Sequence, residues 1–352
     1  MNPADLIPVA DSIPVPWGWF EVLLLATFAC HLLLMNVLLG GSVMALLTRN
    51  LPYAPGKQLA HRLPVILALT VNLGVPPLLF LQVLYGQFLY SAAVLSAVYW
   101  MTLVALVMLA YALLYVFAGQ VKKGQSAGVG LVLSVAVCAL LGTSFILTNV
   151  MSLMIHPQAW TAYFTQPAGT ILNLADPTIL PRWLHFVLSA LAVGGLFMAL
   201  LNTREAKSGE AHAQARLTLG MKWFTHATLV QIAIGIWWLM AMPREVMLLF
   251  MGKNMLHTGF LVAGLVLAAL SLWYGFQKRV IHTVFALLGT VLVMVGMRDL
   301  VRISTLEPYF HPTDMAVTGQ YGSLVLFLVS FLLGAGAVIY MFRLHRQAGG
   351  GI

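Results

Sequence analysis

The sequence predicts an all-α integral membrane protein: a single nine-helix transmembrane bundle over residues 1–352, with the N-terminus outside and the C-terminus in the cytoplasm. Three observations predict it. Hydrophobic residues make up 61% of the 352 and charged residues 8%, with a mean hydropathy of +0.93, against roughly 45–50% apolar residues in a soluble domain. Apolar runs of the about 20 residues needed to cross hydrocarbon fill most of the length, which leaves no room for a soluble domain and excludes a water-soluble enzyme. Basic residues recur in the gaps between runs with an alternating bias, as the positive-inside rule requires.

The runs follow one another with recognisable punctuation. Trp17–Leu47 opens after Pro14 and Pro16 and stops before Arg49. Leu63–Tyr90 follows Arg62 and carries Pro76-Pro77, which predicts a kink because proline removes a helical hydrogen bond. Leu95–Phe117 ends ahead of Lys122-Lys123, and Gly128–Met154 ends at His156-Pro157. Leu180–Leu201 stops before Arg204, and Leu217–Met242 stops at Pro243. Met255–Tyr274 and Val280–Met297 flank Lys278-Arg279, and Tyr321–Phe342 precedes Arg343 and Arg346. All are expected to be helices, since lipid demands internally closed hydrogen bonding and the strict alternation of a β-barrel is absent.

Thirteen of the 18 basic residues fall after odd-numbered runs, and five, Arg182, Arg244, Lys253, Arg298 and Arg302, fall on the other side. The first side is therefore cytoplasmic. The net charge of +8 is read as this topology signal and not as a nucleic-acid surface, because the basic residues form no patch. Cys30 and Cys138 both lie in apolar runs, so neither a disulfide framework nor a Cys-x-x-Cys-His haem attachment is present. Asp5 and Asp11 in place of a basic start argue against a cleavable signal. The long outer connections are Ile155–Ile179 and Arg298–Gln320, where a partner or substrate is expected. The only low-complexity stretch is the Gly349–Gly351 tail.

Ionisable residues inside spans are costly and mark functional sites by default. His31, His185, His226 and His257 stand on four different spans, the first, fifth, sixth and seventh, from which side chains can converge inside a bundle. Facing imidazoles, or an imidazole and a thioether, are what clamps a haem iron, here b-type for want of a covalent attachment motif. His282, beside Lys278 and Arg279, reads instead as an interface anchor. His185 and His257 fall within roughly 10 Å of the outer boundary at ~1.5 Å per residue and share a layer. Met255 competes with His257 for the same position. His31 lies deeper, with His226 as a candidate partner for a second haem. Gly40-Gly41 and Gly194-Gly195 follow His31 and His185 at the same offsets, which suits either a flat macrocycle or close helix packing. Arg298 and Arg302, one turn apart at the outer edge, are candidates for pairing with haem propionates or for interface anchoring with Asp299. His156 and His311 in outer loops are candidate proton acceptors for a quinone, or simply solvated. Of the ten carboxylates only Glu21 falls within a span, so a proton path from the cytoplasm is not expected.

These segments resemble subunit I of the cytochrome bd quinol oxidases. Cys30-His31-Leu32-Leu33-Leu34 with Gly40-Gly41 resembles that family's first haem-ligand segment, and Phe145–Pro157 is similar to its fourth-helix exit. Pro181-Arg182-Trp183-Leu184-His185 with Gly194-Gly195 resembles the fifth-helix ligand of the low-spin b haem. Lys253-Asn254-Met255-Leu256-His257 is similar to the segment carrying the opposite ligand, which puts Met255 in the Met position and Lys253 in place of an Arg. The departures are specific: the long sixth-to-seventh loop is reduced to Pro243–Asn254, Leu95–Phe117 has no Glu, Gln82 replaces a second-helix Glu, and no Glu ends the eighth span. The resemblance implies one or two haem b groups in a prokaryotic cytoplasmic membrane. The expected function is a quinol-linked electron-transfer subunit of the respiratory chain, passing electrons to a c-type cytochrome or another redox subunit at the outer face. The alternatives are a reduced bd-type terminal oxidase and, from another class, a cofactor-free permease or membrane scaffold.

Overall fold

The computed structural model describes residues 2–347; Gly349–Gly351 and the side chains of His345 and Arg346 lie outside the described set. Among the described residues there are nine helices long and apolar enough to cross a membrane and no strand, only an isolated bridge between Ile13 and Val317. The protein is a multi-pass, all-α membrane bundle. Its long helices are α1 (Trp17–Leu47), α2 (Arg62–Leu95), α3 (Ala97–Lys122), α4 (Val129–Ile155), α5 (Ile179–Leu201), α6 (Ala211–Ala241), α7 (Met255–Phe276), α8 (Val280–Leu306) and α9 (Tyr321–Gln347). Nine crossings place the two described ends on opposite sides of the membrane.

All nine runs become helices, and the corrections concern their ends. α2 continues past Tyr90 to Leu95, with its backbone leaving helical geometry at Tyr85 (φ −135°, ψ 30°) and not at Pro76-Pro77. α8 continues nine residues past Met297, so Arg298, Asp299 and Arg302 stand on a helix and not in an outer loop. The physical reason is local: Asp299 and Arg302, three apart, face one another and neutralise their charges, so the helix need not stop where the apolar run does. The Pro243–Asn254 connection is itself mostly helical, Arg244–Leu248 followed by a π turn at Leu249–Lys253 that ends through Gly252 at φ 108°. Asn254 then caps α7, accepting from the backbone N–H groups of Leu256 and His257.

α1–α4 pack together as one group and α5–α8 as another, joined by α1 lying along α5 and touching α8. Small residues make the joint. A Cβ on Gly40 would strike the carbonyl of Ala190, one on Gly194 would strike Gly40, and one on Gly195 would lie 2.6 Å from the Gly220 carbonyl oxygen. The paired glycines thus serve close helix packing, α1 on α5 and α5 on α6. α9 is peripheral, with no buried residue among those whose side chains are described, and meets α2 through Phe327 and Phe80.

Candidate functional site

The α5–α8 group surrounds a partly open apolar cavity of about 280 Å³ reached also by α1. Its wall includes His185 and Phe186 from α5, Gln231 and Trp238 from α6, Leu261 from α7 and Arg298 from α8. The size falls near the lower end of the ~300–1,000 Å³ common for small-molecule sites, and the chemistry is the usual one, a mostly hydrophobic lining with a few convergent polar groups.

His185 sits two turns into α5. That helix is held at its start by Asp176, which accepts from the Thr178 backbone N–H at 2.9 Å and from its hydroxyl, while Arg182 donates to Thr178 Oγ1. The imidazole faces α6 because residue 235 is glycine: a Cβ there would lie 3.3 Å from His185 Cε1. Its Nε2 is 3.2 Å from the Gln231 amide, Trp238 packs beside the ring, and its buried Nδ1 has no partner. Trp238 Nε1 is likewise buried without a partner. Arg298 makes no hydrogen bond or ion pair among the described residues; its guanidinium lies over the Phe28 ring at 4.4 Å and forms part of the cavity wall. A guanidinium facing apolar surroundings without a carboxylate within ion-pair distance is the costliest group on that wall.

The other sequence candidates are dispersed. His31 donates through Nδ1–H to the Thr70 carbonyl of α2 at 2.9 Å, which leaves Nε2 as the lone-pair nitrogen. Its ring fills the notch at Gly74, where a Cβ would come within 2.8 Å of Cε1. His31 is not on the cavity wall, although Phe28 beneath Arg298 is its ring neighbour at 6.5 Å. His226 is exposed on α6 and bonds back to the Lys222 carbonyl, so the structure does not bring it to His31. Met255 is 92% exposed and off the cavity wall. His257 is buried one step behind that wall, its Nε2 2.9 Å from Ser304 Oγ and its ring against Phe250, which does line the cavity. Lys253 pairs at the surface with Glu245. Arg302 turns away from the cavity to Asp299 and to Glu21 of α1. No group of three or more metal-ligating side chains occurs among the described residues.

In the outer loop, His156 belongs to a polar pin with Ser152, Asp176 and Asn173. The trio of Ser, His and Asp is no nucleophile triad, since Ser152 and Asp176 both approach the same ring nitrogen, Nδ1. Burial pushes the His156 pKa down despite the raising effect of Asp176. Burial acts to raise that of Asp176, but the hydrogen bonds from Ser152 and from the Thr178 backbone and hydroxyl outweigh it and hold the carboxyl below its usual range.

Sequence reasoning missed Gln231, Gly235 and Trp238, which surround His185 from α6. Their one legible signal was spacing: residues 231, 235 and 238 fall at i, i+4 and i+7, one face of a helix, but without knowing that α6 packs on α5 that face has no meaning. Comparison with known proteins adds nothing to this geometry: no family model, curated protein or solved structure matches the chain.

Proposed function

We propose that the α5–α8 cavity is a haem b site and that the protein is a membrane electron-transfer subunit, quinol-linked and delivering electrons to a c-type cytochrome or another redox subunit at the outer face. One observation carries the reading: His185, half-buried on the wall of an otherwise apolar cavity, has a buried ring nitrogen, Nδ1, with no partner. With the Gln231 amide turned so that its oxygen accepts from Nε2–H, Nδ1 keeps a lone pair on the side facing Gly235; with the amide withdrawn, Nε2 is open to serve instead. In the first arrangement Gln231 fixes the tautomer, as ring partners of ligating histidines do. Gly235 keeps space beside the ring, Trp238 buttresses it, and the apolar wall excludes water. Arg298 supplies the positive charge that an amphiphilic group with acidic edges requires. Haem, when bound, supplies the one-electron carrier.

His31 is the candidate for a second haem, since its Nδ1–H bond to a carbonyl leaves Nε2 free in the manner expected of an axial ligand. The test is an alkaline pyridine haemochrome spectrum of the purified full-length chain, repeated for His185→Ala. The expected result is haem b in the wild type and loss of one b signal in the variant. Wild-type protein that carries no haem b and yields only lipid from the cavity would overturn the reading in favour of a permease or scaffold.

A further inference from the structure

Outside the cavity, α1, α2 and α8 close around a buried ionic cluster. The Arg302 guanidinium contacts Asp299 on its own helix, lies 3.4 Å from Glu21 Oε1 across on α1, and covers the Tyr85 ring of α2 at 4.5 Å. Relative exposures are 6% for Glu21 and Arg302, 7% for Asp299 and 0% for Tyr85. Three polar atoms of the cluster have no partner: Glu21 Oε2, Tyr85 Oη and Arg302 Nε. Two carboxyl groups, through Glu21 Oε1 and Asp299 Oδ1, therefore meet at one and the same guanidinium nitrogen, Arg302 Nη2.

Two ionised carboxylates are both acceptors and cannot hydrogen-bond each other, and their repulsion is large where water is excluded. One proton changes this. It relieves the repulsion, lets one carboxyl donate where two carboxylates could only accept, and leaves one negative carboxylate against the single positive Arg302, a neutral buried group. The remaining charges nearby are Arg298, one residue before Asp299 and turned to the cavity, and Arg182 of α5, which acts on Arg298. The α2 backbone leaves the helix at Tyr85 itself, which sets the phenol among the charged groups of α1 and α8.

We propose that Glu21 and Asp299 hold a single exchangeable proton between them, so that this cluster is a proton-binding site beside the cavity, with the Tyr85 hydroxyl as its neighbouring donor or acceptor. Binding adds one proton to the pair and release returns it to water, with no change of oxidation state. Because Asp299 adjoins Arg298, a change of charge in the cavity alters the proton affinity of the pair, and a proton there alters the potential in the cavity. The site stands on its own geometry, whatever fills the cavity.

The measurement is infrared spectroscopy of the purified full-length protein in a detergent free of ester carbonyls, at neutral pH in H₂O and D₂O. The background is clean: Asp5, Asp11, Glu205, Glu210, Glu245, Glu307 and Asp314 are exposed, and Asp176 is held ionised by its donors. The expected result is one protonated-carboxyl C=O band that shifts in D₂O, is lost in Glu21→Gln and in Asp299→Asn, and moves in frequency but persists in Tyr85→Phe. Absence of the band from the wild-type protein would overturn the proposal without any variant having to fold. So would a band that survives unchanged in both Glu21→Gln and Asp299→Asn.

Discussion

In the α1–α4 half, side chains fill the space between helices. Leu84, Tyr85, Phe88 and Val150 are fully buried, Leu89, Leu153 and Trp160 nearly so, and a second cluster about Leu63, Leu114, Phe117 and Leu133 continues the filled core away from them. In the α5–α8 half the buried clusters are smaller, about Leu196, Met221 and Phe224 and about Val246 and Phe250, and the helices stand apart around the cavity. Both halves draw on the same apolar residue types, so hydrophobicity does not distinguish them. Packing does: side chains fill the first half, whereas the second lines a partly open cavity of about 280 Å³. α5 and α6 approach closely where glycine permits it, Gly195 against Gly220, and His185 packs against α6 at Gly235. The filled half reads as scaffold and the open half as a binding chamber.

The largest expected effect lies in the open half. His185→Ala should remove the proposed haem b band altogether, while the protein still accumulates in the membrane; an unchanged spectrum would sink the chamber as the haem site. Next, the halves should differ in their response to truncation. Leu84→Ala in the filled core should cost about 2–5 kcal/mol with the haem content retained. Leu261→Ala on the cavity wall should cost less than half of that and disturb the spectrum instead, with detergent-state thermal midpoints and haem-to-protein ratios as the paired readouts. Equal losses of stability would erase the distinction.

A smaller and sharper test separates resemblance from geometry. Met255 occupies the position of a haem ligand by sequence likeness, yet its side chain is 92% exposed and off the cavity wall. Met255→Ala is therefore expected to leave the b band in position and in full amount, and a shift or loss of the band would restore Met255 as the ligand. The smallest effect concerns the pin that ties the outer loop to the filled half. The His156 pKa is lowered in the folded protein, so the folded state disfavours the charged ring and stability falls as pH drops through the ordinary histidine range. The lowered Asp176 pKa adds stability that disappears only at still lower pH, as the carboxyl itself protonates. The thermal midpoint should drop between about pH 7.5 and about pH 5.5, and His156→Gln should flatten that drop.

The nine helices were legible because lipid leaves the backbone no alternative and apolar runs of the right length announce it; the first was placed to the residue, Trp17–Leu47. The end of the eighth was not legible. Its last turns carry Arg298, Asp299 and Arg302, and hydropathy cannot know that the last two neutralise each other or that Glu21 lies opposite. His185 was legible as a costly residue in a span, but its neighbours Gln231, Gly235 and Trp238 were not, because they come from another helix. The same limit governs the glycine pairs, whose sequence offsets suited a macrocycle equally well. By itself, then, the sequence determined the membrane, the number of helices and the short list of intramembrane histidines, since each follows from transfer energies and chain-local hydrogen bonding. Only the tertiary structure decided that His226 and Met255 face outwards, that the glycines join α1, α5 and α6, and that Glu21, Asp299 and Arg302 meet, because which faces of helices pack together depends on side chains far apart in the chain.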